Sequence, residues 1–248
     1  MPKRFDPGRR GSVVVAAVAA GVAAGLVAAL FLTISAQPSI EEAIRLEQAA
    51  YTGHAHDDEV VSRDVQRGPG LFAAYAVTGA GFGVLFAAAF VTLGPGRPDV
   101  FRRALVAGTV LAGTLTVSPW LKYPPNPPAV GDAGTLGRRQ LLYVTLLVVT
   151  AVVGAAAVRL SRRLRDSGWD EPRRICAVVA AVVVPLLVVY GVLPGAPDPV
   201  EVPAALVWRF RLASLGGNLL LWTVLTLGFG HFAAARRPAD VPAPAAQP

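Results

Sequence analysis

Six apolar stretches, each about long enough to cross a bilayer, alternate with short polar segments. They run Ser12–Ser35, Leu71–Leu93, Ala104–Trp120, Leu141–Val158, Ile175–Leu193 and Leu212–Phe229. None contains Asp, Glu, Lys or Arg. A hydrocarbon core of ~30 Å takes ~20 helical residues at ~1.5 Å rise each. A helix in water keeps one polar stripe, and these have none. The expected fold class is therefore all-α, a polytopic membrane helical bundle of about six transmembrane helices forming one domain over residues 1–235. Five crossings is the alternative, because Ala104–Trp120 is short and ends in Pro119-Trp120.

Charge orients the bundle. Hydrophobic residues make up 54% of the chain and charged residues 16%, against ~25% charged in soluble domains. With both termini in the cytoplasm, the inner segments carry 15 of the 23 Lys and Arg but 6 of the 16 acids. That is the positive-inside pattern, and it accounts for the net charge of +7 without a nucleic-acid partner. The outer loops are then residues 36–70, 121–140 and 194–211. The tail, 236–248, is rich in Pro and Ala and reads as disordered and cytoplasmic.

The first span has a basic start, as a signal peptide does, but its apolar core is longer than the usual ~7–15 residues. It reads as an uncleaved anchor. One cysteine, Cys176, allows no intramolecular disulfide, and one methionine, Met1, argues against a sulfur relay for Cu(I). Three units repeat a basic start, a span, a Pro-containing outer loop, a basic residue and a returning span, so three hairpin repeats are one reading of the bundle. Any hairpin obeying the charge rule reads the same way.

Gly21 and Gly25 stand four apart, as do Gly79 and Gly83, a spacing that lets helix backbones approach closely. Gly79-Ala80-Gly81-Phe82-Gly83 follows no strand, so it is no dinucleotide fingerprint. Thr109, Thr114, Thr116 and Ser118 in the third span, and Ser214 and Asn218 in the sixth, are expected to bond across helices or back to a carbonyl. Lining a path is the alternative.

The first outer loop carries the densest chemistry. Ser39 reads as the cap of a short helix, with Glu41 and Glu42 near its positive end, and Ile40, Ile44 and Leu46 toward the membrane surface. His54-Ala55-His56-Asp57-Asp58-Glu59 follows. Imidazoles two apart beside carboxylates offer nitrogen and oxygen ligands to Co, Ni, Zn or Cu, and spacing alone does not choose among them. His54, His56, Asp57, Asp58 and Glu59 are the leading metal candidates, with Glu41, Glu42 and Glu47 weaker. A solvated acidic loop with two incidental histidines is the alternative. His231, at the inner end of the last span, reads as interfacial.

In the second outer loop, four prolines within Tyr123-Pro124-Pro125-Asn126-Pro127-Pro128 exclude a regular helix and favour an extended, polyproline-like strap. Trp120 and Tyr123 suit the interface. The strap is either a rigid lid or a stop and turn.

Three segments carry a family resemblance. One is the run from Ser118 to Gly131, with Pro119, Trp120, Lys122, Tyr123, Pro124, Pro125, Asn126, Pro127 and Pro128. The others are the acidic and His-bearing loop with Val61–Arg67, and Trp208 to Gly216 with Arg209, Arg211 and Ser214. Through them the chain resembles CbtA, a family of probable cobalt transporter subunits. The resemblance implies a multi-spanning protein of the cytoplasmic membrane that imports cobalt for cobalamin synthesis. It also implies a second, small one-span subunit with a His-bearing terminal segment. Co²⁺ is then cargo, and no permanently bound cofactor is implied. Partners are the lipid bilayer, that small one-span protein and, as an open alternative, further copies of this chain.

The residues add a difficulty. Ion paths are usually marked by ionisable side chains inside the membrane, and mid-membrane charge is missing here. A route would use hydroxyls and carbonyls beside Pro119 and Pro185, where a broken helix frees acceptors, or would be shared with the histidines of the small partner. Arg209 and Arg211 are expected just outside the last span, pinning the outer surface by pairing with Glu41, Glu42, Glu47 or Asp198. Two classes stand: a divalent-metal permease subunit, and a non-transporting scaffold for a metal-handling partner. An enzyme is not expected, since no Ser/His/Asp order, nucleotide loop or diiron pattern is present. Without a Walker motif, energy would come from the membrane potential or a separate ATPase.

Overall fold

A computed structural model describes residues 7–50, 62–93, 100–128, 130–131, 133–195 and 202–235. These are all helical or loop, and six helices are long and apolar enough to cross a membrane. The chain is a multi-pass membrane protein. In order the helices are α1 (Pro7–Ser35), α2 (Gln37–Ala50), α3 (Arg63–Arg67), α4 (Pro69–Thr92), α5 (Val100–Ala112), α6 (Ser118–Lys122), α7 (Leu136–Asp166), α8 (Glu171–Val192) and α9 (Ala204–Ala235). A π-helical turn, Gly113–Val117, joins α5 to α6, so these pieces make one span, Val100–Lys122. That length removes the case for five crossings.

The glycine spacing does what it predicts. α1 packs along α4, and a Cβ on Gly21 would overlap the Gly79 carbonyl, as one on Gly79 would overlap that of Gly21. A Cβ on Gly25 would strike the Tyr75 carbonyl, and one on Gly83 would lie 2.5 Å from that of Ala17. Backbones this close gain dispersion and Cα–H···O contacts that larger residues forbid. Gly81 faces open space.

α9 lies against α1 and α5, and the three share an aromatic core with α4. Phe82 stacks on Trp222 at 4.7 Å, and Phe229 meets Phe86 and Phe90 edge-on at 5.1 and 4.9 Å. Arg103 sits 3.7 Å above the Phe90 ring, a cation–π contact that seats a charge where the core meets the bundle end. α7 and α8 form a separate layer, α8 packing chiefly on α7. Their turn ends α7 in a Schellman motif: Gly168 at φ +78° donates to the Arg165 carbonyl and Trp169 to that of Leu164. Asp170 then caps α8 through the Arg173 N–H.

Four expectations change. The helices of the third hairpin unit do not chiefly pair with each other, since α8 belongs with α7 and α9 with α1 and α5. α9 starts at Ala204 rather than Leu212, so Arg209 and Arg211 lie within its first turns instead of in a loop. Backbone hydrogen bonding does not stop where hydrocarbon does. α2 follows α1 after Ala36 alone, so Ser39 is a buried helical residue rather than a cap. Pro185 sits inside an unbroken α8.

Candidate functional site

The third span breaks where sequence places its proline. Ser118 N–H reaches back to the Gly113 carbonyl, the five-residue step of a π turn. In that register the Thr114 carbonyl would receive its bond from residue 119, which is Pro119 and has no N–H. Thr150 of α7 supplies the donor instead, its Oγ1 2.8 Å from the Thr114 oxygen. Gly154, one turn along α7, admits the Thr114 methyl, which a Cβ there would strike. From the other side, Trp222 Nε1 donates to Thr116 Oγ1 at 2.9 Å in a buried bond. The π turn is thus held between α7 and α9.

A cleft of about 400 Å³ runs beside this turn, walled by α5 and α8 with α7 as its floor. Thr109, Thr114, Ser118, Thr150 and Ser161 border it, among valines from all three helices, with Arg162 and Arg165 at the end near Leu93. Most of the hydroxyls are engaged. Thr114 Oγ1 donates to the Val110 carbonyl at 2.8 Å, and Ser118 Oγ lies 2.9 Å from Tyr190 Oη. Bonding across helices or back to a carbonyl is therefore what Thr114, Thr116 and Ser118 do, and Asn218 likewise donates to the Ser214 carbonyl at 2.8 Å.

The proline-rich segment closes the bundle at the end that carries α2. Lys122 Nζ donates to the Tyr190 carbonyl at 2.8 Å and Tyr123 Oη to that of Pro194 at 2.8 Å, both on α8 or just beyond it. Tyr190 Oη donates to the Ser118 carbonyl. Burial pushes the Tyr123 phenol up from its ordinary range. Trp120 Nε1 donates to the Arg211 carbonyl at 3.2 Å, and Arg211 donates to Asn126 Oδ1 at 2.7 Å. Pro127 is buried, while Pro124 and Pro125 are half-buried and Pro128 is exposed. The segment thus fastens α8, which has no buried residue of its own, to α6 and α9. Of the pairings expected for the arginines, Arg209 meets Glu42 at 3.3 Å, whereas Arg211 takes Asn126. Glu41 pairs with Arg67 at 3.4 Å, and Glu42 also lies 4.0 Å from Arg45.

His54, His56, Asp57, Asp58 and Glu59 lie outside the described residues. Among the described residues, no group of three or more His, Cys, Asp or Glu is placed to hold a metal ion. Glu41 and Glu42 face arginines, Glu47 is exposed on α2, and His231 is exposed near the end of α9. Sequence reasoning did not single out Thr150 or Tyr190. A hydroxyl in an otherwise apolar span was the available signal for Thr150, and a tyrosine at the end of the fifth span for Tyr190.

The family model described as probable cobalt transporter subunit (CbtA) matches residues 11–234. No curated protein and no solved structure shows a match to the chain.

Proposed function

The chain belongs to the family of probable cobalt transporter subunits (CbtA), and on that premise we propose that it is the membrane subunit of an importer that brings Co²⁺ in for cobalamin synthesis. The family match across residues 11–234 carries this reading, and six membrane-crossing helices fit it. Both termini and the α7–α8 turn lie in the cytoplasm, where the excess of arginine belongs. The end bearing α2 and the proline segment then faces outward. There His54, His56, Asp57, Asp58 and Glu59 collect the ion, imidazole nitrogen and carboxylate oxygen being suitable donors for Co²⁺. A small one-span partner with a His-bearing terminus receives or relays it. The membrane potential favours entry of a divalent cation by about 4.6 kcal/mol per 100 mV.

Calorimetric titration of the full-length chain in detergent with Co²⁺ tests the collecting segment. Binding that His54→Ala/His56→Ala weakens tenfold or more supports it. Binding unchanged in the double variant, or absent from the wild type, removes it.

A second reading is a scaffold that positions a metal-handling partner. The cleft favours it: its mouth presents Arg162 and Arg165, which repel a cation, and its lining is mostly apolar. Desolvating Co²⁺ there would lack any charged or imidazole ligand.

A further inference from the structure

The same cleft is hostile to a cation and suited to a different occupant. Its lining combines Val106 and Val110 of α5, Val153 and Ala157 of α7, and Val178 and Val182 of α8, with two arginines at one end. α5 packs chiefly on α9 and α8 chiefly on α7, so the two walls meet through the floor and the gap between them faces the bilayer. Thr150 and Arg165, at the two ends of the floor, are fifteen helical steps apart, about 22 Å. One leaflet, headgroups included, is about 20–22 Å deep. The floor of the cleft therefore covers the depth of one monolayer, with its charge at headgroup level and Thr150 near the midplane, while Ser118 lies further toward the outer end of the third span.

We propose that this cleft is a binding site for one acidic glycerophospholipid, its phosphate between Arg162 and Arg165 and one acyl chain along the valines toward Thr150. Arg162 is pre-positioned by its bond to the Thr92 carbonyl at 2.8 Å, which leaves the rest of its planar fork for a phosphate. Arg165 lies 3.7 Å from Asp166 in a solvent-exposed pair that a phosphate can outcompete. Basic pockets between membrane helices at the cytoplasmic face recognise lipid headgroups by this chemistry. The acyl chain fills space that would otherwise leave α8, without a buried residue, held by α7 and the proline segment alone. This inference does not depend on which ion the protein carries.

Native mass spectrometry of the full chain, released from nanodiscs of equal phosphatidylglycerol and phosphatidylcholine, tests it. The expected result is one retained phosphatidylglycerol per chain and no matching retention of phosphatidylcholine. Arg162→Gln/Arg165→Gln should weaken retention roughly 30-fold. Val182→Trp, which fills the cleft and leaves both arginines, should also abolish it, with thermal unfolding confirming that each variant folds. Equal retention of the two lipids, retention indifferent to both variants, or displacement by inorganic phosphate at equal concentration would each overturn the proposal.

Discussion

Thr150 donates its hydroxyl to the Thr114 carbonyl across the α7–π-turn contact, at 2.8 Å, filling the place that Pro119 leaves without an N–H. The proline makes an acceptor in the middle of a membrane helix, and a neighbouring helix answers it. Removing the donor and keeping the shape isolates the effect. Thr150→Val should lower stability by about 1 kcal/mol, between the ~0.6 average and the ~1.7 maximum measured for such bonds in membranes. Thr150→Ser should restore most of it. Unfolding of the purified chain by SDS reads the difference.

The glycines of α4 should separate by face. Gly79→Ala places a Cβ on the Gly21 carbonyl, so α1 and α4 must part, at a cost of about 1–3 kcal/mol. Gly81→Ala meets nothing within 4 Å and replaces a poor helix former with the best, so it should be neutral or stabilising by up to about 1 kcal/mol. Melting temperatures of the two variants in the same detergent check the contrast.

Two arginines only two residues apart in α9 should differ in importance. Arg209 makes an exposed pair with Glu42, and such pairs contribute about 0–1 kcal/mol and weaken with salt. Arg211 donates to Asn126 from a half-buried position and holds the proline segment. Arg209→Ala should barely change resistance to proteolysis between Lys122 and Arg138, whereas Arg211→Ala should raise nicking there several-fold.

α8 should loosen alone when its anchors are cut. Tyr190→Phe with Lys122→Met removes the bonds from Tyr190 to Ser118 and from Lys122 to the Tyr190 carbonyl. Hydrogen exchange should rise over residues 171–192 while α1 and α4, locked by their glycines, keep their protection. A uniform rise across all helices would show that the proline segment supports the whole bundle.

Much of this architecture was legible in the sequence because lipid imposes strict rules. A span must be long, apolar and helical, so six spans follow from Ser12 to Phe229, and Gly21, Gly25, Gly79 and Gly83 mark the closest helix pair. Pro119 marks a break for a chemical reason that needs no tertiary knowledge. What stayed hidden depended on neighbours. Nothing local says that Thr150 will answer the Thr114 carbonyl, or that Lys122 will reach Tyr190. Arg209 and Arg211 looked like the end of a span because hydropathy measures solvent, while the helix continues past it to Ala204. The third hairpin looked like a unit because α8 and α9 are consecutive, yet each finds a better partner elsewhere. The metal candidates His54 and His56 rest on sequence chemistry, lying outside the described residues.

The most direct test is labelled cobalt uptake in a cell lacking its own cobalt import, expressing the full chain, an empty vector, or the chain with a one-span His-bearing partner. For the membrane component of a cobalt importer, uptake should exceed the empty vector when chain and partner are present, and fall in His54→Ala/His56→Ala. Uptake no greater than the empty vector in every arm, with insertion of the chain confirmed, would contradict it.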